Sequence, residues 1–352
     1  MSTVTRVTLV RNVPTGAPML SDFKVETAPA PVEASLNANE LIIRPLYLSC
    51  DPYMRGRLTG SGDRYVASFE AGKPIDSLGV GIVEASTSDK YGKGDVVTGG
   101  MFKWESKFVA PATGYIKVPV TPGDSEASYV NLIGALGMPG FTGYVGLVTL
   151  CQPKKGETVL VSAASGAVGQ IVIQLAKARG LRVVATAGSD DKVEYVKSLG
   201  ADVAFNYKTC GSFAKAIRQA APEGVDIFFD NVGGEFLDAT LNCMKPFGRI
   251  AECGMISQYN VTSETAYHIR NLSQMINKKL TMYGYIISDY YAKPAYKDFI
   301  SEVSAMLKSG QIQYKIDEVA GLENAPQALL DLFEGSNFGK RVIKVASHSQ
   351  KL

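Results

Sequence analysis

Histidine is nearly missing from this sequence: 352 residues contain only His268 and His348. Most hydrolases that need a histidine base, and most zinc enzymes, are excluded on that ground. Cysteine is scarce too. Cys50, Cys151, Cys210, Cys243 and Cys253 form no CxxC pair and are odd in number. That argues against a disulfide scaffold and fits a reducing, cytoplasmic compartment. An excess of one charge is also lacking. Thirty-six basic residues against 34 acidic ones leave +2, too little for a nucleic-acid groove or a polybasic membrane surface. No apolar run approaches the length of a membrane span. The first residues, broken by Thr5, Arg6, Thr8 and Arg11, lack the apolar core of a signal peptide.

What is present can build a core. Hydrophobic residues make up 46% of the chain and charged ones 20%, the balance of a globular protein. At about 150 residues per domain, the length suggests two domains. Composition shifts near residue 130. Before it, short β-rich runs alternate with Gly and Pro: Leu41-Ile42-Ile43-Arg44-Pro45, Gly79-Val80-Gly81-Ile82-Val83, Asp95-Val96-Val97. Strands broken this often predict an irregular β-barrel or sandwich.

After it, strands and helices alternate. Thr158-Val159-Leu160-Val161-Ser162 reads as a buried strand. Val168, Ile171, Val172, Leu175 and Ala176 follow at helical spacing, with Gly180 just past the helix end. Residues 182–186, 225–229, 249–253 and 280–283 continue the strand series, and Ser189 stands where it caps a helix through Leu199. This is the βαβ rhythm of a doubly wound parallel sheet, the Rossmann α/β class. The rhythm breaks near the end. Residues 312–316 and 341–345 read as strands around a helix that Asn324-Ala325-Pro326 starts and that runs through Phe333, with Pro inside its first turn. This segment is expected to return to the first domain. The expected division is 1–133 plus 312–352, and 134–311.

The strongest local signal is Ala163-Ala164-Ser165-Gly166-Ala167-Val168-Gly169, which follows a strand and opens a helix. Small residues let the backbone approach a pyrophosphate, and the helix N-terminus offers N–H groups to the anion. Ala164 stands where a dinucleotide fingerprint usually has its first glycine. The alternative reading is a tight turn with no ligand. The next strand end, Thr186-Ala187-Gly188-Ser189-Asp190-Asp191-Lys192, carries no acid at its tip to bind a ribose 2′-hydroxyl. Lys192 falls in the first helical turn, where the helix dipole disfavours a cation. A bound 2′-phosphate offsets that, so the sequence favours NADPH over NADH. Otherwise Lys192 is a solvated residue balanced by Asp190 and Asp191.

A barrel-like domain joined to such a nucleotide domain resembles the medium-chain dehydrogenase/reductase superfamily. The zinc sites of that superfamily cannot form here. Gly79-Val80-Gly81 stands where zinc enzymes carry Gly-His-Glu, and Cys50 has no partner ligands, which leaves it a small buried residue. Within the superfamily the chain resembles the zinc-free leukotriene B4 12-hydroxydehydrogenase/prostaglandin reductase family, with the plant alkenal double-bond reductases and curcumin reductase-like proteins. The strings that carry the resemblance run in order along nearly the whole chain. They are Asp51-Pro52-Tyr53-Met54-Arg55, Gly137-Met138-Pro139-Gly140-Phe141-Thr142-Gly143-Tyr144, the loop 163–169, Ala187-Gly188-Ser189 and Phe205-Asn206-Tyr207-Lys208. Phe229-Asp230-Asn231-Val232-Gly233-Gly234, Gly248-Arg249-Ile250-Ala251, Ile256-Ser257-Gln258-Tyr259-Asn260 and Asn337-Phe338-Gly339-Lys340 complete them.

The resemblance implies a GroES-like catalytic domain, a Rossmann domain, NADPH and a homodimer. It implies that Ser189, Lys192 and Tyr207 hold the 2′-phosphate, and that Ala164, Gly166, Ala167, Val168, Gly169 and Gly188 line the cofactor path. Asn231, Met138 and Thr142 then contact the nicotinamide side, Cys253 and Ser257 line the groove, and Asn337 and Gly339 reach the cofactor from the C-terminal segment. Tyr53 and Tyr259 would stand at the substrate end, Tyr259 also near the cofactor. Tyr53 reads equally as a packing residue, and Asn231 also fits a simple turn to Gly234. Tyr290 and Tyr291 either flank a substrate or pack on the surface, and loops 58–73 and 288–293 shape the pocket.

The implied chemistry is reduction of the C=C bond of an enal or enone. Hydride goes to the β-carbon, and the enolate oxygen is held by the Tyr259 phenol or the nicotinamide ribose. Quinone reduction, oxidation of an allylic secondary alcohol, and NADPH binding without catalysis are the other readings.

Overall fold

The computed structural model describes residues 2–62, 65–119 and 126–346, so Asp63, Arg64 and His348 fall outside the described residues. The chain divides into two compact units, Met1–Ile133 with Ile316–Leu352, and Gly134–Lys315.

In chain order the first unit begins with β1 (Thr3–Leu9), β2 (Phe23–Pro29), β3 (Glu40–Ser49), α1 (Met54–Arg57), β4 (Asp76–Ser86), β5 (Val96–Lys103), β6 (Phe108–Pro111), β7 (Ile116–Lys117) and α2 (Glu126–Val130). The second follows with α3 (Met138–Tyr144), β8 (Thr158–Val161), α4 (Gly169–Ala178), β9 (Arg182–Ala187), α5 (Asp190–Ser198), β10 (Val203–Asn206), α6 (Phe213–Ala220) and β11 (Val225–Asp230). It ends with α7 (Gly234–Leu241), β12 (Met244–Glu252), α8 (Gln274–Asn277), β13 (Thr281–Gly284) and α9 (Pro294–Lys308). The chain then returns to the first unit with β14 (Ile316–Ala320), α10 (Ala325–Phe333) and β15 (Lys340–Lys344).

The first unit is a GroES-like domain built on a mixed sheet of order β14-β15-β3-β4-β5-β7, with β6 also on β3 and the β1–β2 hairpin apart. Only β14–β15 is parallel. Strand β3 feeds two cores and changes phase at an irregularity between Pro45 and Tyr47: Leu41, Ile43 and Leu48 join Phe102, Trp104 and Phe108, while Leu46 and Tyr47 meet Val80 and Ile82.

The second unit is a Rossmann domain. Its strands are all parallel in the order β10-β9-β8-β11-β12-β13. Chain order reverses at β8, which puts the switch point between β8 and β11. Val159, Val161, Ile227 and Phe229 pack on one face against Ile171, Leu175 and Phe299. Leu160, Val184, Phe228 and Ile250 pack on the other against Ile217, Phe236 and Leu241. Both faces are covered, so these strands read as continuous apolar runs.

The strand expected over 312–316 is corrected: the strand is Ile316–Ala320. The backbone before it is satisfied by helix side chains instead of a ladder. Gln174 Oε1 accepts from the Gln313 N–H at 2.8 Å, its Nε2 donates to the Gln313 carbonyl at 2.8 Å, and Gln170 Oε1 accepts from the Lys315 N–H at 2.8 Å. Two glutamines one turn apart on α4 thus hold the segment.

Candidate active site

Ligands of open parallel sheets gather at the carboxyl ends of the strands, and the expected residues of the second unit lie there. Ser189, Lys192 and Tyr207 surround the start of α5. Asn206, the last residue of β10, donates to Asp190 Oδ1 at 2.9 Å and ties this strand end to α5. Tyr207 covers Gly188 so closely that a Cβ there would sit 2.9 Å from the phenol oxygen. Burial raises the Tyr207 pKa, keeping a neutral donor. Lys192 is only 9% exposed, so it is not the solvated residue of the alternative reading. Ser189 occupies the cap position of α5 without capping its backbone. Its hydroxyl donates to the Asp191 carboxylate, which lowers that carboxyl's pKa.

The small-residue loop runs from β8 into α4. Ala163 adopts φ +46°, and Ala164, fully buried, donates its N–H to the Thr186 carbonyl at 2.8 Å, joining the loop to β9. A Cβ on Gly169 would fall 2.6 Å from Ala164 Cα and 2.8 Å from the Ala163 oxygen, backbone atoms that cannot swing aside. Glycine is therefore required for α4 to start this close to β8. The N–H groups of Ala167 and Val168 meet no acceptor among the described residues. Free N–H groups at a helix start suit a pyrophosphate.

A third group lies past β8, β11 and β12. Asn231 donates its side-chain amide to the Ser162 carbonyl at 2.7 Å and its N–H to Ser162 Oγ at 2.8 Å. Asp230, fully buried, organises the turn. Its Oδ1 accepts from Ser162 Oγ and the Val232 N–H, both at 2.8 Å, and its Oδ2 accepts from the Gly233 N–H at 3.1 Å. Ser257 locks onto the same turn through Oγ, which donates to the Val232 carbonyl at 2.6 Å. Tyr259 follows the 3-10 turn Ile256–Gln258, and its hydroxyl accepts from the Met255 N–H at 3.3 Å.

Thr142 donates back to the Met138 carbonyl at 2.7 Å, and its own carbonyl accepts from the Tyr285 hydroxyl at 3.0 Å. Burial pushes the Cys253 thiol up to about 12, and a hydrogen bond with Tyr285 opposes that only in part. Tyr291 packs its ring against Phe141 and Tyr296, with centroids 5.2 Å from each.

Tyr53, Asn337 and Gly339 belong to the first unit. Tyr53 is half-buried, and burial first, then the Asp51 charge, raises its pKa. Asn337 donates to the Gly339 carbonyl at 2.9 Å. A buried ion pair joins the two segments: Lys340 Nζ lies 2.9 Å from Asp51 Oδ1 and donates to the Cys50 carbonyl at 2.8 Å. Cys50 is buried, and its thiol is pushed up to about 12 by burial.

Sequence reasoning missed the contacts made by Asp230, Ser162, Tyr285 and the Lys340–Asp51 pair. An acid closes each of two successive apolar strands, Asp230 and Glu252, which the sequence shows, but that the two are neighbours comes only from strand register.

A Rossmann sheet with a small-residue loop, carried on one chain with a GroES-like domain, defines a dehydrogenase or reductase of the medium-chain class. Residues 167–318 match the family described as zinc-binding dehydrogenase, and residues 6–118 the N-terminal domain of oxidoreductase. The chain is 44% identical to the 2-alkenal reductase (NADP(+)-dependent) of Nicotiana tabacum over 96% of each chain. It is 40% identical to prostaglandin reductase 1 of Mus musculus over 94% of this chain and 95% of that one. It matches the crystal structure of CurA in complex with NADPH from Vibrio vulnificus with a TM-score of 0.88 and 33% identity, over 97% of this chain and 99% of that one.

The chain belongs to the zinc-independent alkenal/prostaglandin reductase (CurA-like) family of medium-chain dehydrogenases/reductases. Zinc appears in the name of one matched family, yet no group of three or more His, Cys, Asp or Glu able to hold a metal occurs among the described residues.

Proposed function

We propose that this protein reduces the activated C=C bond of α,β-unsaturated aldehydes and ketones with NADPH. The kinship with alkenal and prostaglandin reductases carries the reaction, and the setting of Lys192 supports the cofactor. The chain fits that cofactor: the free N–H groups of Ala167 and Val168 suit its pyrophosphate, and Ser189, Lys192 and Tyr207 suit its 2′-phosphate. When bound, NADPH supplies the hydride.

The chain's part is to bind, orient and polarise. Asn231, fixed by Ser162 and Asp230, would present a wall to the nicotinamide, with Met138, Thr142, Cys253 and Ser257 along the groove. Asn337 and Gly339 would contribute from the C-terminal segment. As the β-carbon is reduced, charge grows on the substrate's carbonyl oxygen. We assign Tyr259 to donate a hydrogen bond there, and Tyr53 to the substrate's side. Tyr259→Phe lowers turnover by roughly 100-fold if that donor is used. Unchanged turnover removes Tyr259 from the role.

The experiment is a rate panel of enals, enones, quinones and allylic alcohols with NADPH and NADH. Preference for enals or enones with NADPH supports the reading. Activity confined to quinones, or to alcohol oxidation, replaces it. A homodimer in the cytoplasm completes the proposal. In support, β13 is an edge strand, Phe247, Leu272 and Ile276 are exposed, and all five cysteines are unpaired. Sedimentation at the monomer mass refutes the dimer.

A further inference from the structure

Asp230 and Glu252 end neighbouring parallel strands and are register partners, so their side chains leave the same face of the sheet. Their surroundings differ sharply. Asp230 receives three hydrogen bonds, from Ser162 Oγ, the Val232 N–H and the Gly233 N–H. Both carboxyl oxygens of Glu252 are shut from solvent and meet no donor. Two adjacent carboxylates out of water cannot both ionise, and the proton stays with the one that lacks donors. Glu252 is therefore a neutral acid beside the Asp230 anion.

We propose that Glu252 is a positioning residue for the cofactor turn. While neutral, it leaves Asp230 free to hold residues 231–233, and its ionisation sets a second negative charge against Asp230, loosens the turn and weakens NADPH binding. The inference rests on the reading of Asn231 as part of the cofactor site.

Burial first, and then the Asp230 charge, push Glu252 up to about 9. Among the described residues, Asp230 is the charged group that acts on it there. The other titratable neighbours are the Cys253 thiol and the Tyr285 phenol, both kept neutral by burial. The switch thus falls at mildly alkaline pH.

The test measures NADPH dissociation constants by nicotinamide fluorescence from neutral pH to about pH 10, for the unaltered protein, Glu252→Gln and Asn231→Ala. One linked proton predicts that the constant rises by up to about tenfold per pH unit above about pH 9. Glu252→Gln, which cannot ionise, loses that rise, while every other titration remains common to both. Parallel curves overturn the inference.

Infrared difference spectra supply an independent readout. A protonated carboxyl band present at neutral pH and lost in Glu252→Gln is expected, and its absence from the unaltered protein overturns the assignment. If Asn231→Ala binds NADPH as the unaltered protein does, the cofactor-site reading fails by itself, even with the infrared band in place.

Discussion

Lys192 bears most directly on cofactor choice. A cation in the first turn of a helix opposes the dipole, and 9% exposure denies it the solvent that would offset this. We propose that a bound 2′-phosphate meets Lys192 there, beside the Asp191 charge that already acts with it. Lys192→Ala should raise the dissociation constant for NADPH by about 10- to 100-fold, the worth of a charged hydrogen bond, and leave that for NADH nearly unchanged. Equal losses for both cofactors would remove Lys192 from the phosphate site.

Glu252 has a stability consequence. Its unfolded carboxyl releases a proton near 4.5, whereas the folded one keeps it to about 9. A raised carboxyl pKa means that stability falls as pH rises from about 4.5 to about 9. Glu252→Gln should therefore melt higher than the unaltered protein at about pH 8 and no higher at about pH 4. The place of Lys192 in the first turn of α5 was legible in the sequence because it needs only local order. The Asp230–Glu252 pair was not, because strand register decides it.

At the scale of elements, the loop from β8 into α4 was legible as small residues between a strand and a helix. Its tightest point, Gly169 against Ala164, needed coordinates. Gly169→Val should cost about 1–3 kcal/mol from overpacking, seen as a lower urea midpoint, and weaken NADPH binding with it. Two expectations met competing hydrogen bonds: Ser189 gives its hydroxyl to Asp191 and not to the helix backbone, and residues 313–315 pair with Gln170 and Gln174 and not with a strand. Side-chain competition of that kind has no periodic signature.

The junction between the end of β3 and the start of β15 was invisible as well, since Asp51 and Lys340 lie 289 residues apart. Lys340→Met should cost about 3–5 kcal/mol by leaving Asp51 charged and unpaired, while Asp51→Asn with Lys340→Met should cost less. Equal losses in single and double variants would show that packing, not charge, matters there.

At the scale of the molecule, the doubly wound parallel sheet was legible in the βαβ rhythm, while its strand order β10-β9-β8-β11-β12-β13 came only from the pairings. The GroES-like sheet was legible only as broken strands, because its pairings, such as β3 with both β4 and β6, are remote in sequence. The scarcity of histidine and cysteine excluded classes of chemistry, and the loop 163–169 between a strand and a helix then pointed to a dinucleotide.

The central claim is hydride delivery to the β-carbon of an enone. NADPH carrying deuterium at the transferred position, with a simple enone and mass or NMR analysis of the product, tests it most directly. The account predicts a saturated ketone with deuterium on the β-carbon. Deuterium on the carbonyl carbon of an allylic alcohol would contradict it.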